Sequence, residues 1–524
     1  MIRVGIDVGG TNTDAVVMRG REVLHGLKTA TTADVMGGVV KALRDVVAGA
    51  GVDKAQIGAV MIGTTHFTNA LVERRKLSPV GVIRLGLPAT RGLPPGCDWP
   101  DDLHAAVAVH GRLAHGGYEY DGKPLGRLDL EEVRRHAREF AGLGLKDIAI
   151  SCAFSILNDD QEMLAAAVVR EVIPDAHITL SSQIGRLGLL ERENAAILNA
   201  CLGPLGLEVI AAFRDALAES GIKAPFYLTQ NDGTLMAAEQ AARFPILTVA
   251  SGPTNSMRGA AFLSGLKDAI VVDIGGTTSD AGVLRAGFPR QAGVAVEVGG
   301  VRTNFRMPDV YSIGLGGGST VAVDFNAVGP QSVGYAIHTK ALVFGGNTVT
   351  ATDVAVAAGA ARLGDAAKVA HLPAQGVRAC YELLQQMVFN AVERMRTSAE
   401  PLPVIVVGGG SILLGNELRG LQITVPPHFG CANAVGAAMA QVSGEVDRVV
   451  ELDKIPRNEA IALVRDDAEK KAVEAGADAA TLAVIDVEDV PLAYMTGNAA
   501  RIRVRVVGDL KEHKKDHEQE ASAA

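Results

Sequence analysis

Val4-Gly5-Ile6-Asp7-Val8-Gly9-Gly10-Thr11-Asn12-Thr13-Asp14-Ala15 opens the chain and returns as Val271-Val272-Asp273-Ile274-Gly275-Gly276-Thr277-Thr278-Ser279-Asp280-Ala281. Each copy is an apolar strand ending in an aspartate, then a Gly-Gly turn, then hydroxyl or amide residues, then a second aspartate. Glycines at such a turn let backbone N–H groups come close to phosphate oxygens. A strand-end aspartate can hold hydrated Mg²⁺ or orient an attacking group. A single copy would also fit an ordinary hairpin. Two copies, each opening its own half of the chain, are what a two-lobed phosphate clamp requires. Neither is a P-loop or a dinucleotide fingerprint, since no Gly-x-x-x-x-Gly-Lys or Gly-x-Gly-x-x-Gly follows either strand.

Outward from these copies, strands and helices alternate, which predicts an α/β protein with mixed sheets. Asp34 is placed to cap a helix carrying Val35, Val39, Leu43 and Val46 and stopped by Gly49 to Gly51. Val60-Met61-Ile62 reads as a short buried strand, and residues 87–96 as a loop. Asp159 with Glu162 suggests a capping box. A long helix is expected from Gly376 to about Arg396. Residues 432–438, Ala-Asn-Ala-Val-Gly-Ala-Ala, form a small-residue helix suited to close packing. Arg501-Ile-Arg-Val-Arg-Val506 alternates as an edge or exposed-face strand would. The expected division is 1–190, 191–445, a small α/β region at 446–510, and a mixed-charge tail at 511–524.

The chain has 524 residues, 48% hydrophobic and 21% charged, enough for at least two sizeable cores. Its net charge of −9, without a basic stripe interleaved with aromatics, argues against nucleic acid. Five dispersed cysteines suggest reduced thiols in a cytoplasm. Met1 leading straight into a strand is read as lacking a signal peptide, and no apolar run is expected to span a membrane.

Further blocks narrow the reading. Ile62-Gly63-Thr64-Thr65-His66-Phe67-Thr68-Asn69-Ala70-Leu71-Val72-Glu73-Arg74-Arg75, Ala153-Phe154-Ser155-Ile156-Leu157-Asn158, Asn231-Asp232-Gly233 and Ser251-Gly252-Pro253 occur in this order. Ile313-Gly314-Leu315-Gly316-Gly317-Gly318-Ser319 and Val407-Gly408-Gly409-Gly410-Ser411 follow. Together they resemble the hydantoinase A/5-oxoprolinase family, in its short branch, within the superfamily of actin, heat-shock chaperone ATPases and sugar kinases. The resemblance implies two actin-like (ribonuclease H-like) lobes around an ATP cleft, with a small C-terminal appendage. By resemblance Asp7 positions Mg²⁺ through water and Asp273 acts near the γ-phosphate. Gly9, Gly10, Thr11, Asn12, Thr13, Gly275, Gly276, Thr277 and Thr278 would contact phosphates. Gly316, Gly317, Gly318, Gly408, Gly409 and Gly410 would hold the nucleotide.

Thr64, Thr65, His66 and Asn69 form a polar patch at a strand-to-helix junction, where a helix N-terminus favours an anion or a substrate carbonyl. Thr65 and His66 are candidate catalytic residues. His66 departs from the apolar residue common at this point of the family; it could ligate a metal, donate to substrate or cap the helix. Tyr311 stands where many members have histidine in an Asp-x-His, which puts a second, transition-metal site at Asp309 in doubt unless His66 supplies it. The implied function is ATP-dependent opening of a cyclic amide such as a hydantoin, an oxoproline or a related lactam. A separate partner subunit and a homo- or hetero-oligomer go with it. The rivals are a small-molecule kinase or ATP-dependent carboxylase on the same clamp, and a chaperone-related assembly factor.

Overall fold

The computed structural model describes residues 1–9, 12–30, 35–292, 296–398, 401–415, 417–493, 495 and 497–512. Gly10, Thr11, the expected cap at Asp34 and the tail from residue 513 lie outside the described residues. The chain begins with a meander, β1 (Ile2–Val8), β2 (Asn12–Arg19) and β3 (Glu22–Ala30), then α1 (Val35–Ala50), β4 (Ile57–Thr64) and α2 (His66–Glu73). A second layer follows: β5 (Val80–Leu87), α3 (Asp101–Val107), β6 (Val109–His115), α4 (Leu130–Gly142), β7 (Asp147–Cys152), α5 (Asp160–Val172) and β8 (His177–Leu180). These four strands make a wholly parallel sheet in the order β6-β5-β7-β8. The chain then enters α6 (Leu189–Glu219), β9 (Phe226–Thr229), β10 (Thr234–Ala237), α7 (Ala238–Arg243) and α8 (Ser251–Ser264).

The second lobe runs through β11 (Ala269–Ile274), β12 (Ser279–Arg285), β13 (Phe288–Pro289), β14 (Val296–Val298), β15 (Val301–Thr303), β16 (Val310–Ile313), β17 (Ser319–Val321) and β18 (Val328–Ser332). It continues with α9 (Ile337–Lys340), α10 (Ala351–Ala357), α11 (Ala374–Met395), β19 (Val404–Val407), β20 (Glu417–Leu418) and β21 (Leu421–Thr424). After α12 (Ala432–Ala438) the chain returns to the first lobe as β22 (Gln441–Glu451), α13 (Arg457–Glu474), β23 (Ala483–Pro491) and β24 (Ala499–Gly508). The first-lobe sheet therefore has the order β23-β24-β22-β10-β9-β4-β1-β2-β3, and the second-lobe sheet β13-β12-β11-β19-β21-β20 with β16 beside β12.

This order corrects the expected boundaries. β9 pairs in parallel with β4, and β22 pairs with β10, so residues after 190 and after 445 complete the first sheet. It also corrects the edge assignment for residues 501–506: β24 lies between β22 and β23, and Arg503 and Arg505 are only 4% exposed. The expected capping box is not formed: Asp159 makes no side-chain cap bond, and Glu162 instead accepts from Ser182 Oγ at 2.7 Å and from Ser181. One further expectation fails: α6 is long and apolar enough to cross a membrane by length and composition. Two-thirds of its most apolar window is nonetheless buried inside the protein (67%). Its first turns carry a buried polar cluster. Glu193 accepts from Arg84 at 2.7 Å, Arg192 donates to the Cys152 carbonyl at 2.6 Å, and Asn194 accepts from the single tryptophan, Trp99, at 2.8 Å.

The strand alternation fixes what faces what. Val4, Ile6 and Val8 of β1 enter the core with α1 and α6; Ile270, Val272 and Ile274 of β11 enter the core with α11. The opposite faces of both strands turn to α8 and α12, which lie between the sheets. The two helices cross closely enough that a Cβ on Gly259 would overlap the Ala432 carbonyl, and one on Gly436 the Asn255 carbonyl. Gly5 serves the same end on β1, where a side chain would meet the Ala434 carbonyl.

Candidate active site

Asp7 and Asp273 are the last polar residues on the inward faces of β1 and β11, so the strand period aims both at the α8–α12 crossing. The two turns are alike in detail. Gly9 N–H donates to Asn12 O at 3.0 Å, and Gly275 N–H to Thr278 O at 2.9 Å. Asp7 is registered against Asp14, and Asp273 against Asp280. Each aspartate also abuts a glycine on the neighbouring parallel strand: a Cβ on Gly63 would collide with the Asp7 carboxylate, and one on Gly408 with that of Asp273. The repeat seen in sequence is thus a repeat of the site, extended to Gly63 and Gly408.

The crossing helices tie the two aspartates together. Asn255 Nδ2 donates to Asp7 Oδ1 at 3.1 Å, and Asn433 Nδ2 to Asp7 Oδ2 at 3.3 Å. Ser256 Oγ meets both Asp273 and the Asn433 side-chain oxygen. Burial pushes Asp7 and Asp273 above the ordinary carboxylate range, against the hydrogen bonds from Asn255, Asn433 and Ser256. Burial likewise raises Asp14 and Asp280 to about 6, opposed at Asp14 by Lys28 and at Asp280 by the Ser312 hydroxyl. Lys28, 2.8 Å from Asp14 Oδ2, is the cation whose field reaches Asp7, Asp14 and Asp273.

Two buried and two half-buried carboxylates face one lysine, which leaves negative charge for a divalent cation, and the buried Asn255 Oδ1 has no hydrogen-bond partner. Among the described residues no three His, Cys, Asp or Glu side chains converge into a direct metal cage. A hard cation here would be held through water, as Mg²⁺ usually is. On these grounds the residues fit Mg·ATP.

The glycine runs converge on the second turn. Gly317 N–H donates to Gly275 O at 3.0 Å and Gly318 N–H to Gly276 O at 2.7 Å. A Cβ on Gly316 would sit 2.5 Å from Thr277 N, and one on Gly410 2.7 Å from Gly275 O. Gly409 is exposed with open space around it. In the first lobe, Thr65 N–H and Oγ1 both bond Val8 O at 3.2 Å, which fixes the 64–69 block beside the first turn. Asn69 reaches back to Thr65 Oγ1 at 3.4 Å.

His66 bonds Thr64 Oγ1 and presents its edge to Phe213, with ring centroids 6.1 Å apart; burial lowers its pKa. Asp309 is taken by Arg290, whose Nε lies 3.0 Å away, and Tyr311 lies under Arg394 at 4.3 Å. The pairing of His66 with Asp309 on a second metal therefore has no support in their contacts: one packs on α6, the other neutralises an arginine.

Sequence reasoning missed Asn255, Ser256 and Asn433. For Asn433 the available signal was a lone polar residue in a helix otherwise built of small residues, whereas α8 carries several polar residues and singles out none of them. It also missed a polar cavity of about 730 Å³ in the first lobe, lined by the 155–159 and 230–232 blocks together with residues 182–186, Arg306 and the start of β22.

Residues 3–173 match the hydantoinase/oxoprolinase N-terminal region, and residues 192–365 match the hydantoinase/oxoprolinase domain. The chain is 28% identical over 400 residues to the acetophenone carboxylase gamma subunit of Aromatoleum aromaticum, covering 68% of this chain and 53% of that protein. It is 25% identical over 387 residues to the caprolactamase subunit alpha of Pseudomonas jessenii, covering 68% and 54%. The chain thus spans about half the length of these curated relatives. In shape it is similar to the ATP-dependent caprolactamase from Pseudomonas jessenii, with a TM-score of 0.76 at 19% identity over 97% of this chain and 88% of that one. It is also similar to nucleotide-free acetone carboxylase, with a TM-score of 0.67 at 17% identity over 98% and 88%.

Proposed function

The chain belongs to the hydantoinase/oxoprolinase family, and on that premise we propose that it uses ATP to open a cyclic amide such as a hydantoin, an oxoproline or a related lactam. The observation that carries this reading is the paired Asp–Gly-Gly site, with both aspartates joined across one helix crossing. Such a site suits phosphoryl transfer, in which catalysis is positioning and charge stabilisation. An amide is a poor electrophile. Its carbonyl oxygen attacks the γ-phosphorus, the bond to ADP breaks, and the ring carbon becomes open to water. Water adds and the ring C–N bond breaks with a proton passing to nitrogen, which leaves an acyl phosphate; a second water then cleaves it to a carboxylate and inorganic phosphate. Asp7 and Asp14 on one lobe, and Asp273 and Asp280 on the other, hold the hydrated cation and the attacking group in place. Mg²⁺, when bound, neutralises the phosphate charge. Gly316 to Gly318 and Gly408 to Gly410 receive the nucleotide, and Thr65, bonded to the Val8 carbonyl, holds the 64–69 block beside the first turn.

Two relatives named as carboxylases support a second reading, ATP-dependent carboxylation on the same clamp. Relatives named as subunits support a separate partner chain. The test is phosphate release from Mg·ATP with hydantoin, 5-oxoproline, caprolactam and simple ketones, each with and without bicarbonate. Cyclic-amide-stimulated turnover is expected, falling at least ~10²-fold in Asp7→Asn and in Asp273→Asn. Ketone consumption that depends on bicarbonate, with amides inert, would establish the second reading instead.

A further inference from the structure

Ser251-Gly252-Pro253, one of the blocks that mark the family, has no part in the clamp described above. It is the first turn of α8. Its neighbour is the first turn of α2: the N–H of Ala250, the residue before α8, donates to Thr68 Oγ1 at 3.4 Å. α2 in turn starts against the first phosphate turn, through the two bonds from Thr65 to the Val8 carbonyl. On its other side α8 is tied to the segment after β9, where Thr254 Oγ1 donates to the Asn231 carbonyl at 2.8 Å. β1, β4 and β9 are parallel neighbours, so both helix starts lie at the carboxyl edge of the first sheet, where ligands of α/β proteins gather.

Two helix N-termini therefore meet. Each carries about half a positive charge, which an acid in the first turn or a capping side chain ordinarily offsets. Among the described residues neither helix has an acid in its first turn, and neither residue at the cap makes a side-chain cap bond. In α2 the His66 N–H reaches Thr64 Oγ1 at 3.3 Å. The Asp7 carboxylate is engaged by Asn255 and Asn433. Two such ends side by side favour an anion between them. A second observation points to the same place. Ser251 is only 1% exposed, and its hydroxyl has no hydrogen-bond partner. A buried hydroxyl left unbonded is costly and calls for an explanation. Ser251 stands one turn, about 6 Å of helix axis, before Asn255, so the two share a face. Through Asn255 Nδ2 that face meets Asp7 at 3.1 Å and Thr229 at 3.0 Å. Beside Ser251, a Cβ on Gly252 would meet no atom within 4 Å.

We propose that the junction of α2 and α8 is a second oxyanion site, apart from the two nucleotide turns. There the Ser251 hydroxyl and the N–H groups of the two helix starts hold the phosphoryl group once its bond to ADP has broken and its bond to the acceptor oxygen has formed. The proposal rests on the phosphoryl-transfer reading above and holds whichever oxygen is the acceptor. A phosphate dianion suits the place, since its oxygens accept from donors arriving from two directions. The second lobe also reaches this junction, through α2. Val298, Val301 and Phe305 lie on a segment whose two ends are anchored on β12 of the second lobe through β13 and β16, and they share the first-lobe core with Phe67 and Leu71 of α2. Arg74, at the end of α2, donates to Gly299 O of that segment at 2.8 Å. Closure of the lobes on a nucleotide therefore bears on the α2 side of the site.

The test is calorimetric titration of inorganic phosphate into the full chain saturated with Mg·AMPPNP, whose γ-phosphoryl group fills the clamp. Phosphate is expected to bind in addition to the nucleotide. Ser251→Ala should weaken it at least ~10-fold, while the affinity for Mg·AMPPNP and the melting temperature stay close to wild type. Gly252→Asp places a carboxylate in the open space at the helix start. It should abolish phosphate binding and raise the melting temperature, since the new charge takes the anion's place. A merely structural Ser251 would leave phosphate binding unaltered in both variants, and that result overturns the site. Loss of phosphate binding in the wild type once Mg·AMPPNP is present also overturns it, because the nucleotide turns would then be where phosphate binds. If Mg·AMPPNP itself fails to bind, the clamp reading falls, and phosphate titrated alone into the same three proteins still decides the site by the effect of the two variants.

Discussion

Two glycines carry as much of the site as the aspartates they touch. Gly63→Ala and Gly408→Ala place a methyl group against the Asp7 and Asp273 carboxylates. Each substitution is expected to cut Mg·ATP turnover at least tenfold, by displacing a carboxylate that must be placed within about 0.5 Å. Gly408→Ala should also cost stability, since Gly408 sits at φ 85°. Steady-state ATPase rates and thermal melts check both. Asp280 supplies a signed pH effect. Its pKa is raised from 3.8 to about 6 in the folded chain, so between these values the folded state binds more protons than the unfolded one. Its contribution to stability therefore falls as pH rises from about 4 to 6 and is flat above. Asp280→Asn removes that loss, so the variant's melting-temperature gain over wild type should be larger at pH 7 than at pH 4. The ceiling is roughly 3 kcal/mol. A gain independent of pH would refute it. At this scale the sequence showed the repeated aspartates and glycines, because identical chemistry was written twice. It did not show Asn255 or Asn433, since one Asn in a helix reads as any polar residue until its partner is known.

Among the elements, α8 and α12 decide the geometry, and their contact depends on the absence of side chains. Gly436→Ala would push a methyl into the Asn255 carbonyl. The expected cost is about 1–3 kcal/mol of stability, with a further loss of ATP affinity because Asn255 and Ser256 shift with the helix. Denaturant titration and nucleotide binding measure the two separately. The small-residue run at 432–438 announced close packing, and the structure supplies the helix it packs on. β24 was misread for a physical reason. Alternating arginines resemble a solvated face, yet Arg503 is matched by Asp486 and Glu488 across β23, and Arg505 lies over Phe288 at 5.2 Å. A cross-strand ion pair cannot be seen from one strand alone. Arg503→Ala, which removes a buried guanidinium while its acid partners on β23 stay open to water, should destabilise by roughly 1 kcal/mol in a urea melt.

For the whole molecule, the two-lobed plan was legible because both halves open with the same strand and turn. The assignment of segments to lobes was not, because sheet order depends on pairing between residues hundreds apart. Phosphate contacts from both lobes should close the cleft on Mg·ATP. Hydrogen exchange is expected to slow at 273–280 and 316–319, and at the 298–306 segment, which is rooted in the second-lobe sheet and packed in the first. No slowing at either phosphate turn would refute closure. The position of β22, β23 and β24 has a consequence for synthesis. The ribosome delivers β1 to β4 first, but their sheet ends at the unpaired edge of β10 until residues 441–508 emerge. The second-lobe sheet is drawn wholly from residues 269–424 and can form before them. A nascent chain halted at 440 should therefore show a protease-resistant second lobe and a first lobe held by chaperones, with one open strand inviting aggregation.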